Sequence, residues 1–211
     1  MKSAKTQGIR TGNWLSQRQA QALLSTPDIS TLRGRRDRAI LAVLLGCGLR
    51  RSEVAALTFA HLQQRDGRWC TVDLVGKHAR VRTAPMPNWV KAAIDAWTTM
   101  AGLTEDHVFR PVLGGDRVAS NRLGEKVVWQ MLREYAAEMG IPDIAPHDLR
   151  RTCAKLCRAA GGELEQIQLL LRHASVQTTE ALPRDEAGSG QCAERRDRVE
   201  HGVGNLVRSG H

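Results

Sequence analysis

Two clusters of basic residues have the residue types and spacing of a phosphate-binding site, and the first surrounds Arg50. Arg50 follows Gly48 and precedes a short predicted helix, so its guanidinium would lie at a helix N-terminus, where anions bind readily. Arginine suits phosphate because its planar guanidinium donates two parallel hydrogen bonds. Glu53 lies three residues further on and would hold Arg50 in place, although a solvated surface Arg–Glu pair would give the same pattern.

His147 and Arg150 form the second cluster, at the start of another predicted helix. Residues three apart on a helix share one face, so an imidazole N–H and a guanidinium would reach the oxygens of the same phosphate. A His-x-x-Arg pair also arises often by chance, and a solvated helix start would look the same. The spacing therefore indicates an anion site without excluding that simpler interpretation.

Two further residues could take part in the same chemistry. Lys77 lies in a predicted turn, where it is either solvated or, with a pKa near the working pH, a general acid for a leaving alkoxide. His173 follows a leucine-rich stretch and is either a histidine at the edge of the core or another phosphate donor.

Neither metal nor nucleotide chemistry is indicated by the sequence. Cys153 and Cys157 are four residues apart, but no second pair has zinc-site spacing, so we place both on the packed face of a helix. No Gly-x-x-x-x-Gly-Lys-Ser/Thr phosphate loop occurs. We therefore predict no metal site and no cofactor.

The elements that must position these residues are mostly helices, with one small antiparallel sheet. The strongest helix covers residues 35–45, with Ala39, Ile40, Val43 and Leu44 on one face. Residues 69–75 and 80–86 alternate like strands of a β-hairpin joined by a turn at residues 76–78. The other predicted helices begin at Ser16 and at Ser52 as N-caps or cover residues 88–100, 120–139, 148–160 and 164–171. The predicted fold class is therefore α+β, mainly α-helical.

Composition and charge favour a nucleic-acid partner. The 211 residues are 42% hydrophobic and 25% charged, enough for a buried core. Thirty-one Lys and Arg against 22 acidic residues give a net charge of +9, which favours a polyanion. The single Tyr and two Phe argue against an aromatic base-stacking platform. The absence of a signal peptide and of a long apolar segment, together with five irregularly spaced cysteines, favours the cytoplasm.

Taken in order, the motifs resemble the catalytic domain of the tyrosine recombinases, the phage integrase family. These motifs are Gly-Leu-Arg-Arg-Ser-Glu-Val at residues 48–54, Lys77 in a hairpin, His-Asp-Leu-Arg-Arg-Thr at residues 147–152 and Leu-Leu-Arg-His-Ala-Ser-Val-Gln-Thr-Thr-Glu at residues 170–180. The resemblance covers residues 15–180. It implies site-specific recombination or integration on double-stranded DNA, through a 3′-phosphotyrosyl intermediate and without cofactors. It also implies a homo-oligomer assembled on DNA.

The resemblance assigns a role to each candidate residue. Arg50 and Arg150 would hold the non-bridging oxygens of the scissile phosphate. His147 and His173 would donate hydrogen bonds to the developing charge, and Lys77 would protonate the leaving 5′ oxygen. These roles suit phosphoryl transfer, in which positioning and electrostatic stabilisation supply most of the catalysis.

The sequence departs from the family pattern at the nucleophile. The family continues with Arg-Tyr-Leu-Gly, whereas Leu182 occupies the tyrosine position in this chain. The only tyrosine, Tyr135, lies in an earlier predicted helix, where we expect a structural role. We therefore expect a domain that binds DNA but does not cleave it. An enzyme that uses Tyr135 or a tyrosine from a partner chain, and a non-catalytic helical DNA-binding regulator without enzymatic ancestry, remain the alternatives.

The chain is predicted to divide into three parts. Residues 1–14 are a basic lead-in, residues 15–180 are the catalytic-type domain, and residues 181–211 are an atypical, disordered tail. Because the family's N-terminal DNA clamp is not seen, we expect this chain to contact DNA from one side. The change in composition begins at the nucleophile position, which suggests that the tail is a frameshifted version of a normal C-terminus.

Overall fold

The computed structural model describes residues 13–75 and 81–162, and this part of the chain has the predicted α+β fold. It contains six α-helices, a three-stranded antiparallel sheet and a separate two-stranded sheet. The helices are α1 (Gln17–Ser25), α2 (Leu32–Gly46), α3 (Arg51–Ala55), α4 (Asn88–Ala101), α5 (Glu125–Glu138) and α6 (Pro146–Ala159). The strands are β1 (Leu62–Arg65), β2 (Arg68–Val75), β3 (Val81–Pro85), β4 (Val112–Leu113) and β5 (Arg117–Val118). The predicted helix at residues 164–171 and the tail lie outside the described residues.

Helix α2 forms the centre of the domain. All seven residues from Ala39 to Leu45 are at most 4% exposed, because α4, α6 and α1 pack around the helix. The prediction of a single buried face was therefore too narrow. The predicted start at residue 35 was also late, since the Thr31 hydroxyl caps the helix by accepting a hydrogen bond from the backbone N–H of Gly34. A Cβ on Gly34 would overlap the carbonyl of Asp28, so glycine is required there.

The predicted hairpin is confirmed as β2 and β3, but the sheet has a third strand. Strand β1 pairs antiparallel with β2 through a two-residue turn, in which Asp66 and Gly67 both have positive φ (51° and 74°). Strand β1 was not predicted because its Leu-Gln-Gln-Arg sequence has no apolar alternation. In the β2–β3 pair an extra residue lies on β2 between Thr71 and Leu74, which marks a β-bulge.

Two predicted helix starts are corrected, one by a local cap and one by a tertiary contact. Helix α3 begins after Arg50, not at Ser52, because the Glu53 carboxylate accepts a hydrogen bond from the backbone N–H of Arg50. Helix α5 begins at Glu125 and not at residue 120. The preceding loop is held instead by the backbone N–H of Leu123, which donates to the carbonyl of Phe109.

Helix α6 starts two residues earlier than predicted, and this start brings His147 into its first turn. Pro146 occupies the first helical position, where its missing N–H costs nothing, and Asp148 accepts a hydrogen bond from the backbone N–H of Ala145. The predicted Ser16 cap of α1 is confirmed as a capping box with Gln19. In the described ranges no helix is long and apolar enough to cross a membrane.

Candidate phosphate-binding site

Three of the candidate residues come together where α2 ends. Arg50 is the N-cap of α3, immediately after α2, while His147 and Arg150 lie in the first turns of α6. Helices α2 and α6 pack against each other, and Nη1 of Arg150 donates a hydrogen bond to the carbonyl of Gly48. This bond spans 102 residues of sequence and joins the two clusters directly.

Arg150 is a buried cation with donor capacity to spare. Its exposure is 2%, and its Nη2 has no hydrogen-bond partner among the described residues. Burial, with the nearby charges of Arg82 and Arg50, lowers the pKa of Arg150 to about 10, so the guanidinium stays protonated at neutral pH. A buried, unsatisfied donor costs about 1–3 kcal/mol, which an anionic ligand would recover. Nitrogens of Arg35 and Arg158 are also buried without a hydrogen-bond partner in the described part of the chain, so the unpartnered Nη2 of Arg150 indicates a binding site only together with the charges beside it.

Among the described residues, Glu53 is the one carboxylate that pairs with Arg50 and Arg82, and Arg150 lies beside them. It forms an ion pair with Arg50, from Nη1 to Oε1 at 2.9 Å, and a second with Arg82, from Nη2 to Oε2 at 2.5 Å. Burial alone would raise the pKa of Glu53, but hydrogen bonds from Arg82 and Arg50 outweigh it and hold that pKa below the usual value. Counted over the described residues, the three guanidiniums of Arg50, Arg82 and Arg150 against this one carboxylate leave two net positive charges. The ion pair between Arg50 and Glu53 is the contact predicted from the sequence.

Arg82 was not among the candidate site residues predicted from the sequence. This residue lies on the same face of β3 as Ala84, two positions further along, and both are buried. A basic residue at an inward-facing strand position, next to a small apolar residue, was the available signal, because buried arginine needs a partner.

His147 is the exposed member of the site. Partial desolvation of its imidazole and the charges of Arg151 and Arg150 hold the pKa of His147 below its usual value. The ring is therefore neutral at pH 7 and offers one N–H donor, on whichever nitrogen carries the proton. An anion placed between His147 and Arg150 would raise this pKa.

Lys77, His173 and Leu182 lie outside the described residues. The strand pair that flanks Lys77 is described, with Val75 and Val81 as partners at its end. Arg82 is the next residue of β3 and bonds to Glu53, so the base of this hairpin lies beside the cluster of Arg50, Glu53 and Arg150.

Tyr135 takes part in a different cluster, near the opposite end of α2. Its hydroxyl donates a hydrogen bond of 3.1 Å to Oδ2 of Asp37, which is completely buried. Burial and the Asp37 charge raise the pKa of Tyr135, so the hydroxyl is a poor nucleophile. Asp37 lies nine residues before Gly46, the last residue of α2, which corresponds to about 14 Å along the helix. The geometry thus agrees with a structural role for Tyr135.

No metal centre is found in the described part of the chain. It contains no group of three His, Cys, Asp or Glu side chains arranged to bind a metal ion. Cys153 is buried and Cys157 half-buried on α6, and both are free thiols.

Comparison with known proteins gives one consistent relationship. Residues 13–183 match the family model of the phage integrase family. The tyrosine recombinase XerD of Proteus mirabilis is 32% identical over 174 residues, which cover 79% of this chain and 53% of that protein. The tyrosine recombinase XerC of Rhizobium meliloti is 36% identical over 148 residues, which cover 69% and 44%. The chain thus spans about half the length of the curated relatives it matches.

Solved structures show the same fold at lower identity. The crystal structure of XerA recombinase has a TM-score of 0.64 and 22% identity, covering 95% of this chain and 67% of that one. The XerH site-specific recombinase bound to palindromic difH substrate, a post-cleavage complex, has a TM-score of 0.68 and 16% identity, covering 85% and 51%.

Proposed function

The chain belongs to the phage integrase family, and from this premise we propose that it is a site-specific DNA recombination domain whose phosphate site is built on Arg50, His147 and Arg150. Arg50 and Arg150 hold the non-bridging oxygens of one DNA phosphate, and His147 donates a further hydrogen bond. By resemblance, Lys77 and His173 complete the set. Family membership rules out the alternative of a regulator without recombinase ancestry.

The observation that carries this proposal is the unpartnered donor of Arg150 beside two other guanidiniums. A buried cation that has spare N–H groups and lies among like charges is unfavourable unless an anion binds there. A phosphate oxygen supplies the missing acceptor and also offsets the repulsion. Phosphoryl transfer depends mainly on such preorganised positive charge.

We propose double-stranded DNA as the partner. The net charge of +9 favours a polyanion. Structural neighbours are described as complexes with difH substrate and, for the Tn1549 transposon integrase, with transposon right end DNA. We also propose that the chain assembles as an oligomer on DNA, and that it acts in the cytoplasm. The four free thiols of the described residues suit a reducing compartment.

We further propose that this chain binds DNA without cleaving it. Leu182 occupies the position of the family's nucleophile, and a leucine side chain cannot attack phosphorus. Tyr135 is a poor substitute, because its hydroxyl is bonded to Asp37 and its pKa is raised. Such a domain would compete with active recombinases for their sites.

Binding of a short fluorescein-labelled DNA duplex tests the phosphate site. Arg150→Met should weaken binding about 10- to 100-fold and lower the slope of log affinity against log salt by about one. Arg68→Met is the matched control, because Arg68 is exposed on β2 away from the cluster, and it should change affinity less than about threefold. Equal effects of the two substitutions would refute the assignment of the site.

A covalent-adduct assay tests the loss of cleavage. The chain should form no phosphotyrosyl adduct with nicked duplexes that trap the intermediate.

Sequencing the gene across codons 178–205 tests the frameshift hypothesis for residues 181–211. If an adjacent frame encodes Arg-Tyr-Leu-Gly, a one-base repair should yield a chain that forms the adduct; if no frame does, Leu182 is a genuine replacement.

A further inference from the structure

We propose that Arg82 is a positioning residue of the phosphate site, which keeps the Arg50 guanidinium available to the ligand by occupying Glu53. The inference rests on the proposed function of the site. Arg82 does not itself bind DNA in this scheme. It acts through Glu53, the carboxylate that both arginines share.

Arg82 and Glu53 form a buried ion pair, whereas Arg50 is partly exposed. The side chains are 3% and 1% exposed, whereas that of Arg50 is 35% exposed. Arg82 donates from Nη2 to Oε2 at 2.5 Å and from Nε to Oε1 at 3.2 Å. Two parallel hydrogen bonds of this kind fix the plane of the carboxylate, which a single ammonium donor would not do.

The hydrogen-bond acceptor positions of the Glu53 carboxylate are all occupied. Each of its oxygens accepts from Arg82 and also from Arg50, with Oε1 bonded to Nη1 and Oε2 bonded to the backbone N–H at 2.7 Å. A carboxylate has about four acceptor positions, so the hydrogen-bonding capacity of Glu53 is filled. It can therefore take only one side-chain donor from Arg50, and the remaining guanidinium N–H groups stay outside this pair.

Loss of Arg82 would change how Arg50 pairs with Glu53. Two acceptor positions on Glu53 would open next to the Arg50 guanidinium, which is already bonded to Oε1 at 2.9 Å. Arg50 would then close on Glu53 with two hydrogen bonds and be withdrawn from the ligand. The net charge of the site would also fall from two to one, which weakens the attraction for phosphate.

Arg82 also connects the site with the hairpin. It lies on β3 one residue after Val81, and residues 76–80 between β2 and β3 include Lys77. The bond from Arg82 to Glu53 therefore attaches the base of this hairpin to α3. A second consequence of losing Arg82 is a hairpin that no longer starts from a fixed position beside the site.

The experiment compares DNA affinity in a set of variants of the full chain. With the fluorescein-labelled duplex as probe, Arg82→Met should weaken binding about tenfold, because Glu53 captures Arg50. The double variant Glu53→Gln, Arg82→Met should recover to within about threefold of the parent, because the neutral amide competes weakly for Arg50. Arg68→Met, in the same sheet, is the control for a lost surface arginine.

A double-mutant cycle separates positioning from general structural support. In an Arg50→Ala background, Arg82→Met should weaken affinity much less than it does in the parent, since the main influence of Arg82 passes through Arg50 and only its smaller effects on charge and on the hairpin remain. Thermal unfolding monitors the folded fraction of every variant. If Arg82→Met does not fold, Arg82→Lys replaces it throughout, with an expected loss of about threefold, because one ammonium cannot match the two hydrogen bonds of the guanidinium.

Two results would overturn the inference: unchanged affinity in the folded Arg82 variant, or a double variant that binds no better than the single one. Either would leave the proposed function intact as long as Arg150→Met still weakens binding. If Arg50→Ala and Arg150→Met both bind like the parent, the phosphate site itself is wrong.

Discussion

Two charge clusters, each with a buried ion pair, lie toward opposite ends of α2, and they differ in whether their charges cancel. Near the start of the helix, Asp37 pairs with Arg36 and Arg33, and Arg33 also pairs with Glu134. Two arginines against two carboxylates leave no net charge, and the second oxygen of Asp37 accepts from Tyr135. This arrangement, which we call the balanced cluster, needs nothing from outside the fold.

The cluster beyond the end of α2 has an excess of positive charge. Arg50, Arg82 and Arg150 surround Glu53 alone, and Nη2 of Arg150 has no partner in the described residues. Burial of charge is common to both clusters, so burial alone does not identify a binding site. The excess charge together with the unsatisfied donor distinguishes the phosphate site, because like charges that are buried next to a spare donor are unfavourable unless an anion binds there.

The largest expected effect is on stability, in the balanced cluster. Arg36→Met should lower the free energy of unfolding by about 3–5 kcal/mol, because Asp37 is left buried with its main partner gone. Urea unfolding measures this. Asp95→Ala is the control, since its exposed pair with Lys91 should contribute no more than about 1 kcal/mol. An Arg36→Met loss no larger than the control would contradict the structural role.

Replacing an arginine of the phosphate site by methionine should not lower the free energy of unfolding. Arg150→Met should leave the free energy of unfolding unchanged or raise it by about 1 kcal/mol, because a like-charged, partly unsatisfied cation is replaced by an apolar chain of similar length. Urea unfolding of the ligand-free protein is again the measurement. A loss comparable to that of Arg36→Met would show that Arg150 is structural and would remove the contrast.

The two buried carboxylates should respond to acid in opposite directions. The pKa of Glu53 is lowered from 4.5, so its stabilising contribution is present above pH 4.5 and is lost as the pH falls through its folded value. Burial raises the pKa of Asp37, so the ionised form costs stability, which is regained as the pH falls. Glu53→Gln should therefore lose less stability on acidification than the parent. Asp37→Asn, if it folds, should lose more, and identical profiles would contradict the assignment.

His147 should couple DNA binding to protonation. Its pKa is lowered in the free protein, and a bound phosphate raises it, so binding takes up a proton. DNA affinity should rise by about three- to tenfold between about pH 7.5 and about pH 5.5. His147→Gln should flatten this dependence, whereas the control His107→Gln should leave it unchanged. A pH dependence that survives His147→Gln would assign the proton uptake to another group.

The smallest effect concerns the outer edge of the balanced cluster. Glu134→Gln removes only the exposed pair with Arg33, so it should cost about 0.5 kcal/mol at low salt and less at high salt. Urea unfolding at two salt concentrations measures both values. A loss that does not depend on salt would mean that Glu134 belongs to the buried network.

Local patterns in the sequence were sufficient for much of the fold and for part of the site. The Ser16 cap, the β2–β3 hairpin and helix α4 followed from short-range signals, as did the proximity of Glu53 to Arg50. The starts of α2, α3 and α6 were misplaced because their local caps were not recognised, whereas other errors arose where distant contacts decide a boundary. Strand β1 is polar and forms because β2 offers its edge, and α5 starts late because Leu123 is held by Phe109.

The sequence by itself determined the family and predicted the candidate residues Arg50, His147 and Arg150 and a leucine at the nucleophile position. These are properties of residue type and order, which need no geometry. Only the tertiary structure decided that Arg82 shares Glu53 with Arg50, across 29 residues of sequence, and that Arg150 keeps an unsatisfied donor. The physical reason is that charge balance depends on which side chains meet in space, and chains distant in sequence meet only when the core around α2 has formed.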